Sequence, residues 1–392
     1  MFGFTYFTPT KVVFGRGTEE QAGALVKEQG DRRVLIHYGS GSVVRSGLLD
    51  RVKASLDREG IFHVELGGAV PNPRLSLVYQ GIELAKRENV DFLLAVGGGS
   101  AIDSAKAIGY GAVNPGDVWD FYEHTRTAGG CLPLGVVLTL SATGSEMSDS
   151  SVITNEDGMK KRGYSSPYGR PKFAVMDPEL TMTLPDYQTA CGCTDILMHT
   201  MERYFTSGGN MELTDSLAEA LLRTVMKNAL ILRDDPQNYD ARAEVMWAGS
   251  LSHNGLTGCG NGGNDFATHG LEHELGGLYD VAHGAGLAAL WGSWARYVMG
   301  DCLPRFRKFA VNVMGIPAED PDAPLKGVEA MEDFFRSIGM PTSLKELGIS
   351  PSEEDMETLA RKCAVAAGGK KGSAKVLYEA DMLKIYRMAN QR

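Results

Sequence analysis

The chain has 392 residues, a formal net charge of −10, 43% hydrophobic and 22% charged residues. That composition is ordinary for a globular protein, and the length accommodates two domains with separate cores. The acidic balance and the lack of any basic run exclude a nucleic-acid-binding protein, and no stretch is apolar enough to span a bilayer.

Met1 to Tyr6 contains no basic region followed by a long apolar stretch, so no signal peptide is expected. The six cysteines stand at 131, 191, 193, 259, 302 and 363, with no disulfide or zinc-knuckle spacing. A cytoplasmic protein is expected, since a reducing compartment is the simplest home for such cysteines.

In chain order, Arg33 to Tyr38 reads as a buried strand ended by Gly39-Ser40-Gly41-Ser42. A helical stretch follows from Ser46 to Arg58, then a strand from Phe62 to Leu66 and helical spacing from Val78 to Arg87. Asp91 to Val96 is a third strand, closed by Gly97-Gly98-Gly99-Ser100. Leu134 to Leu140 is a fourth, closed by Ser141-Ala142-Thr143-Gly144-Ser145. Strand, glycine turn and helix in repetition predict βαβ units and a mostly parallel, Rossmann-like sheet. Beyond Pro185 the texture becomes helical, with patterns over 189–206, 213–232, 239–256, 328–338, 352–367 and 378–388. The reading is therefore an α/β dinucleotide-binding domain over 1–185 and an all-α C-terminal domain over 186–392.

Two turns point to a phosphate. Gly97-Gly98-Gly99-Ser100 follows a strand and opens a helix, where glycines allow close approach and exposed amides favour an anion. Its spacing is neither GxGxxG nor a P-loop. The second turn, Thr139 to Glu146, offers four hydroxyls at another strand end, and ligands of open α/β sheets bind at the carboxyl ends of strands.

The helical half carries a metal-ligand pattern. Asp195 and His199 are four apart, as are His269 and His273, and each pair projects from one helical face. Gly276-Gly277 is expected to break the helix, and His283 begins a new segment. A carboxylate with imidazoles suits Fe2+ or Zn2+. Five candidates exceed the needs of a tetrahedral site by one. Cys191-Gly192-Cys193 lies just before Asp195 and reads as two small residues packing near a helix start.

With Thr8 to Gly15, Pro71-Asn72-Pro73, Gly97 to Asp103, Thr139 to Glu146 and the two metal segments in view, the whole chain resembles the iron-containing (group III) alcohol dehydrogenases. The likeness is to their butanol-dehydrogenase-like, NADPH-dependent members. The resemblance implies a metal held by Asp195, His199, His269 and His283, with His273 as a proton-relay residue near the nicotinamide. It also implies a cofactor held at Asn72, Gly97, Gly98, Gly99, Ser100, Asp103, Thr139 and Thr143. Lys161 fits the lysine that touches the nicotinamide ribose, with Lys160 beside it.

Two departures from the family are informative. NAD-preferring members often have an acidic residue after the first strand, whereas this chain has Gly39, Ser40, Gly41 and Ser42 there. No carboxylate repels a 2′-phosphate, and the two serines offer hydroxyls, so NADP(H) is expected over NAD(H). Phe266 stands where relatives commonly have Trp, which puts the pocket size in question but keeps an aromatic wall.

The resemblance thus implies a metal-dependent oxidoreductase that exchanges a hydride between NADP(H), lying in the cleft between the domains, and a primary alcohol/aldehyde pair. A homodimer is expected, as in many relatives. One competing reading is a metal-dependent lyase of the dehydroquinate-synthase kind, but that should display several basic residues near the metal, and almost none are present. The other is a non-catalytic protein that binds nucleotide or metal.

Overall fold

The computed structural model describes residues 1–30, 33–39 and 41–392. They divide into two compact units, Phe7–Leu184 and Met1–Tyr6 with Pro185–Arg392.

Among the described residues the first unit contains eight strands: β1 (Lys11–Phe14), β2 (Arg33–Gly39), β3 (Phe62–Ala69), β4 (Phe92–Gly97), β5 (Leu134–Leu138), β6 (Ser150–Asn155), β7 (Lys160–Ser165) and β8 (Phe173–Met176). Six form one parallel sheet in the order β1-β8-β5-β4-β2-β3. β4 and β5 are buried along their whole length, as uninterrupted apolar strands should be when helices cover both faces of a parallel sheet. The helix Leu48–Arg58 turns Leu48, Leu49, Val52 and Leu56 inward, and these pack in a core with Val34, Ile36, Leu94 and Val96. The spacing 48, 49, 52, 56 is one helical face.

The antiparallel pair β6–β7 is an addition to the sequence reading. Its strands contain many polar residues and lack the apolar alternation that marks a strand. The turn between them is made by Asn155 to Met159, with positive φ at Gly158 and Met159.

The second unit is helix-rich. Long helices run over Asp186–Tyr204, Glu212–Asp234, Tyr239–His253, Ala267–Tyr279, His283–Val298, Ala323–Ser337, Glu353–Ala366 and Glu379–Gln391. The helix His283–Val298 is central to it, with Leu287, Leu290, Trp291 and Trp294 fully buried. Glu332 is buried in this unit and accepts paired hydrogen bonds from Arg296 and from Arg392, which ties down the last residue of the chain. None of the helices among the described residues is long and apolar enough to cross a membrane.

The sequence reading expected Gly276-Gly277 to break a helix, and here it is corrected. The helix Ala267–Tyr279 runs through both glycines, which are buried, and ends at Asp280 in the left-handed conformation with its N–H returned to Gly276 O. Two glycines lower helix propensity by only about 2 kcal/mol, which tertiary packing overrides.

Candidate active site

Asp195 and His199 lie on one face of the helix Asp186–Tyr204, four residues apart and buried. His269 and His273 occupy the same relation on the helix Ala267–Tyr279, and His283 is the first residue of the next helix. The three-residue turn after Tyr279 brings the chain back, so imidazoles from both helices face one carboxylate. Asp195 Oδ1 lies 3.4 Å from His199 Nδ1, 3.5 Å from His269 Nε2 and 3.7 Å from His283 Nε2. Gly284 follows His283 because there is no room for a side chain: a Cβ would meet Cys191 O at 2.2 Å.

Among the described residues, Asp195 Oδ1, His199 Nδ1 and His269 Nε2 are buried and have no hydrogen-bond partner. Three such atoms within 4.8 Å of one another are costly unless a cation satisfies them. A divalent metal therefore fits this set, with His283 Nε2 as a fourth donor. His273 stands at the margin. It is half-buried, its ring 5.8 Å from that of His283 and 6.3 Å from that of His269. Neither neighbouring thiol belongs to this converging donor set. Cys193 is fully buried in the apolar core and pushed up to about 12 by that burial, and Cys191, pushed up to about 11, has its Sγ 3.8 Å from Met340 Sδ.

In the α/β unit the triple glycine sits where β4 passes into the helix Gly99–Val113. No side chain caps that helix, so its first-turn amides are available to an anion. All three glycines are closely packed: added Cβ atoms would clash with Ala101 at 2.8 Å and Thr143 at 2.5 Å for Gly97 and Gly99, and would crowd Leu140 at 3.0 Å for Gly98. The second turn is fastened to the first, since Thr139 N donates to Gly97 O at 3.1 Å. Asn72, between β3 and the next helix, is buried with φ 53°. Asp103 turns inward, its oxygens accepting from Ser145 Oγ at 2.6 Å and Val152 N at 2.9 Å. Lys161 is buried on β7, whereas its neighbour Lys160 faces the other way and pairs with Glu123 at 3.5 Å. Gly39 ends β2 and Ser42 is exposed at the start of a four-residue helix. Ser40 lies outside the described residues.

Residues 9–178 match the iron-containing alcohol dehydrogenase family, and residues 189–390 match the C-terminal domain of the Fe-containing alcohol dehydrogenase family. The chain belongs to the iron-containing alcohol dehydrogenases. It is 40% identical to NADH-dependent butanol dehydrogenase A of Clostridium acetobutylicum over 99% of both chains. It is 37% identical to the NADPH-dependent aldehyde reductase YqhD of Escherichia coli, over 90% of this chain and 91% of that one. Among solved structures, NADH-dependent butanol dehydrogenase A of Thermotoga maritima superposes with a TM-score of 0.96 at 40% identity, covering 99% of both chains. As a member of this family the protein is an enzyme, an oxidoreductase of alcohols and aldehydes that works with a nicotinamide cofactor. The lyase and non-catalytic readings are not favoured.

Within this iron-containing alcohol dehydrogenase, three residues that the sequence reading passed over belong to the cluster. Glu202, fully buried, accepts from His269 Nδ1, and Glu272, also fully buried, accepts from His283 Nδ1. Carboxylates on the far nitrogen fix a ligand's tautomer and ring orientation. Their spacing was the available signal: Glu202 lies seven residues after Asp195, and Glu272 three after His269, both on the ligand-bearing faces of their helices. His253 is the third. Its ring stands perpendicular to that of His199, with centroids 4.0 Å apart. No local spacing marks it, because it comes from a separate helix.

The electrostatics differ from ring to ring. Burial pulls against a charge on His269, but Glu202 and Asp195 outweigh it and raise the ring to about 9. His199 is held well below the ordinary range, by burial first and then by the neighbouring imidazoles and the Arg203 guanidinium. Phe266 takes the wall position, its ring 5.3 Å from His269 and 6.3 Å from His199, with the Arg203 guanidinium 4.8 Å above it.

Proposed function

We propose that this enzyme reduces a small aldehyde such as butanal to its primary alcohol, reversibly, with NADP(H) preferred over NAD(H) and with Fe2+ or Zn2+ in the helical unit. The observation that carries the reading is the convergence of Asp195 Oδ1, His199 Nδ1, His269 Nε2 and His283 Nε2, three of them buried without partners. These four atoms would hold the metal. When bound, the metal supplies Lewis acidity toward a carbonyl oxygen and the nicotinamide supplies the hydride.

The chain's own residues do the rest. Glu202 and Glu272 hold Nδ1 of His269 and His283, and so would turn the Nε2 atoms of both rings toward the metal when it is bound. The amides of Gly99 and Ser100 bind the pyrophosphate, with Thr139 and Thr143 closing the turn and Asn72 and Lys161 contacting the cofactor. His273 is the residue that would supply the proton to the product oxygen through its imidazole.

The preference for NADP(H) is supported by the segment after β2. From Tyr38 to Arg45 there is no carboxylate, while Ser42 and Arg45 are exposed there and Gly39 closes the strand. Ser40 adds a second hydroxyl in the sequence. The butanol dehydrogenases of similar sequence are named NADH-dependent and the aldehyde reductase NADPH-dependent, so the chemistry of this segment is what supports the choice. Six cysteines with no disulfide among the described residues agree with a cytoplasmic protein. β1 forms an edge of the sheet with Phe14 exposed, which supports assembly as a homodimer.

The test is anaerobic purification, metal analysis, and an aldehyde panel followed by absorbance with NADPH and NADH. Butanal-dependent oxidation of NADPH that is lost in His269→Ala together with the bound metal is the expected result. A His269→Ala variant that keeps metal and rate would refute the ligand assignment. Failure of every aldehyde with fully metallated protein would refute the substrate class.

A further inference from the structure

Among the described residues, Lys106 is the one lysine in the set of largest fully buried side chains. It lies two turns into the helix Gly99–Val113, seven residues beyond Gly99. Its Nζ is ringed by four oxygens: Ser145 O at 2.8 Å, Ser145 Oγ at 2.8 Å, Ser148 O at 3.0 Å and Ser150 O at 2.7 Å. An ammonium has three hydrogens to share among these four acceptors. This is the environment of a small monovalent cation, supplied here by a side chain. A lysine needed only for packing would be replaced more cheaply by an apolar residue, because burying an ammonium carries a large desolvation penalty.

The oxygens belong to the segment 145–150, which runs from the second glycine turn to the first residue of β6. Ser145 Oγ donates to Asp103 Oδ1 at 2.6 Å, and Ser145 N donates to Thr143 Oγ1 at 3.2 Å. The side chain of Thr143 lies against Gly99 so closely that a Cβ there would come within 2.5 Å of it. A connected path therefore runs from Lys106 through Ser145 and Thr143 to the first residue of the helix. Asp103 closes the other side, holding Ser145 with one oxygen and Val152 N with the other.

We propose that Lys106 is a positioning residue for the cofactor. Its ammonium gathers the carbonyls of residues 145–150 and, through Ser145, sets Thr143 and the 97–100 turn in the geometry that receives the pyrophosphate. Asp103 acts in the same way from the same helix, balancing the charge rather than touching the cofactor. The proposal rests on the reading that the 97–100 and 139–143 turns bind the dinucleotide.

The experiment measures the dissociation constant of NADPH from its fluorescence, with no turnover required, in Lys106→Met, Lys106→Ala and Ser145→Ala. Loss of a charged hydrogen-bond set is expected to weaken binding about tenfold to hundredfold, while kcat at saturating cofactor and the metal content stay near wild type. Lys106→Ala lacks the atoms of n-propylammonium, so adding that ion should recover binding. Adding n-propanol, with the same shape and no charge, should not. If Lys106→Met does not fold, Ser145→Ala carries the test, since it deletes only the shared hydroxyl. Binding within twofold of wild type in the folded variants, or equal recovery by n-propanol, overturns the proposal. Ser100→Asp separates this from the underlying reading. A carboxylate in the first helical turn is harmless to the helix but repels a pyrophosphate. Unchanged binding in Ser100→Asp would overturn the cofactor site itself. Lost binding there with intact binding in the Lys106 and Ser145 variants would overturn only the role of Lys106.

Discussion

Glu202 accepts a hydrogen bond from Nδ1 of His269, whose other nitrogen, Nε2, lies 3.5 Å from Asp195 Oδ1. Glu272 stands in the same relation to His283. Both carboxylates are fully buried, and each leaves the nitrogen that faces Asp195 unprotonated when the ring is neutral. Glu202→Gln and Glu272→Gln are expected to lower metal affinity about 10- to 100-fold, the usual effect of removing such a partner. Chelator competition followed by metal analysis reads this directly. Affinity equal to wild type in both variants would show that the carboxylates serve packing alone.

His199 lacks such a carboxylate and is held by rings instead: His253 at 4.0 Å, His269 at 4.6 Å and Phe266 at 6.3 Å between centroids. His253→Ala should therefore release the ring and reduce metal retained through dialysis. His253→Phe should restore most of it, because an aromatic edge is kept. If His253→Phe is as poor as His253→Ala, the imidazole is needed for something other than its shape.

The proposed preference for NADP(H) rests on the end of β2. At Gly39 a Cβ would meet only Ala69 O, at 3.5 Å, an ordinary contact. Gly39→Asp should thus be tolerated structurally while placing a carboxylate where a 2′-phosphate is proposed to lie. The ratio of kcat/KM for NADPH over NADH should fall by roughly tenfold or more, given about 4 kcal/mol for like charges at close range near a protein surface and partial solvent screening. An unchanged ratio would mean that the 2′ position is read elsewhere.

Acid should weaken the α/β unit through His37. The ring is fully buried on β2, with Nδ1 2.8 Å from Leu66 O, and burial pulls it down to about 4. The unfolded chain takes up this proton near the ordinary pKa of 6.5, so stability falls as pH drops from about 6.5 toward 4. Between pH 7 and pH 5 the loss from this one group is roughly 2 kcal/mol. Urea unfolding at the two pH values, on wild type and His37→Leu, checks it. The variant should lose less than wild type by about that amount, and equal losses would remove His37 from the acid response.

Much of this site is legible in the sequence because its parts are local. An aspartate and a histidine four apart, two histidines four apart, and a triple glycine between an apolar run and a helix are short-range patterns tied to helical period or turn geometry. The polar hairpin β6–β7 carried no such period. Gly276-Gly277 was read as a break because propensity is local, while the burial that sustains the helix is not.

Sequence by itself determined the fold class, the family, and the residue types available to a metal and a dinucleotide. Only the tertiary structure decided which atoms of those residues face one another. Asp195 meets His283 across 88 positions, Glu202 meets His269 across 67, and Lys106 meets Ser145 across 39. Spacing along a chain constrains neighbours within one turn or one strand. Over longer separations, the partners of a buried charge are chosen by packing, because an unpaired charge in the interior costs more than the fold can tolerate.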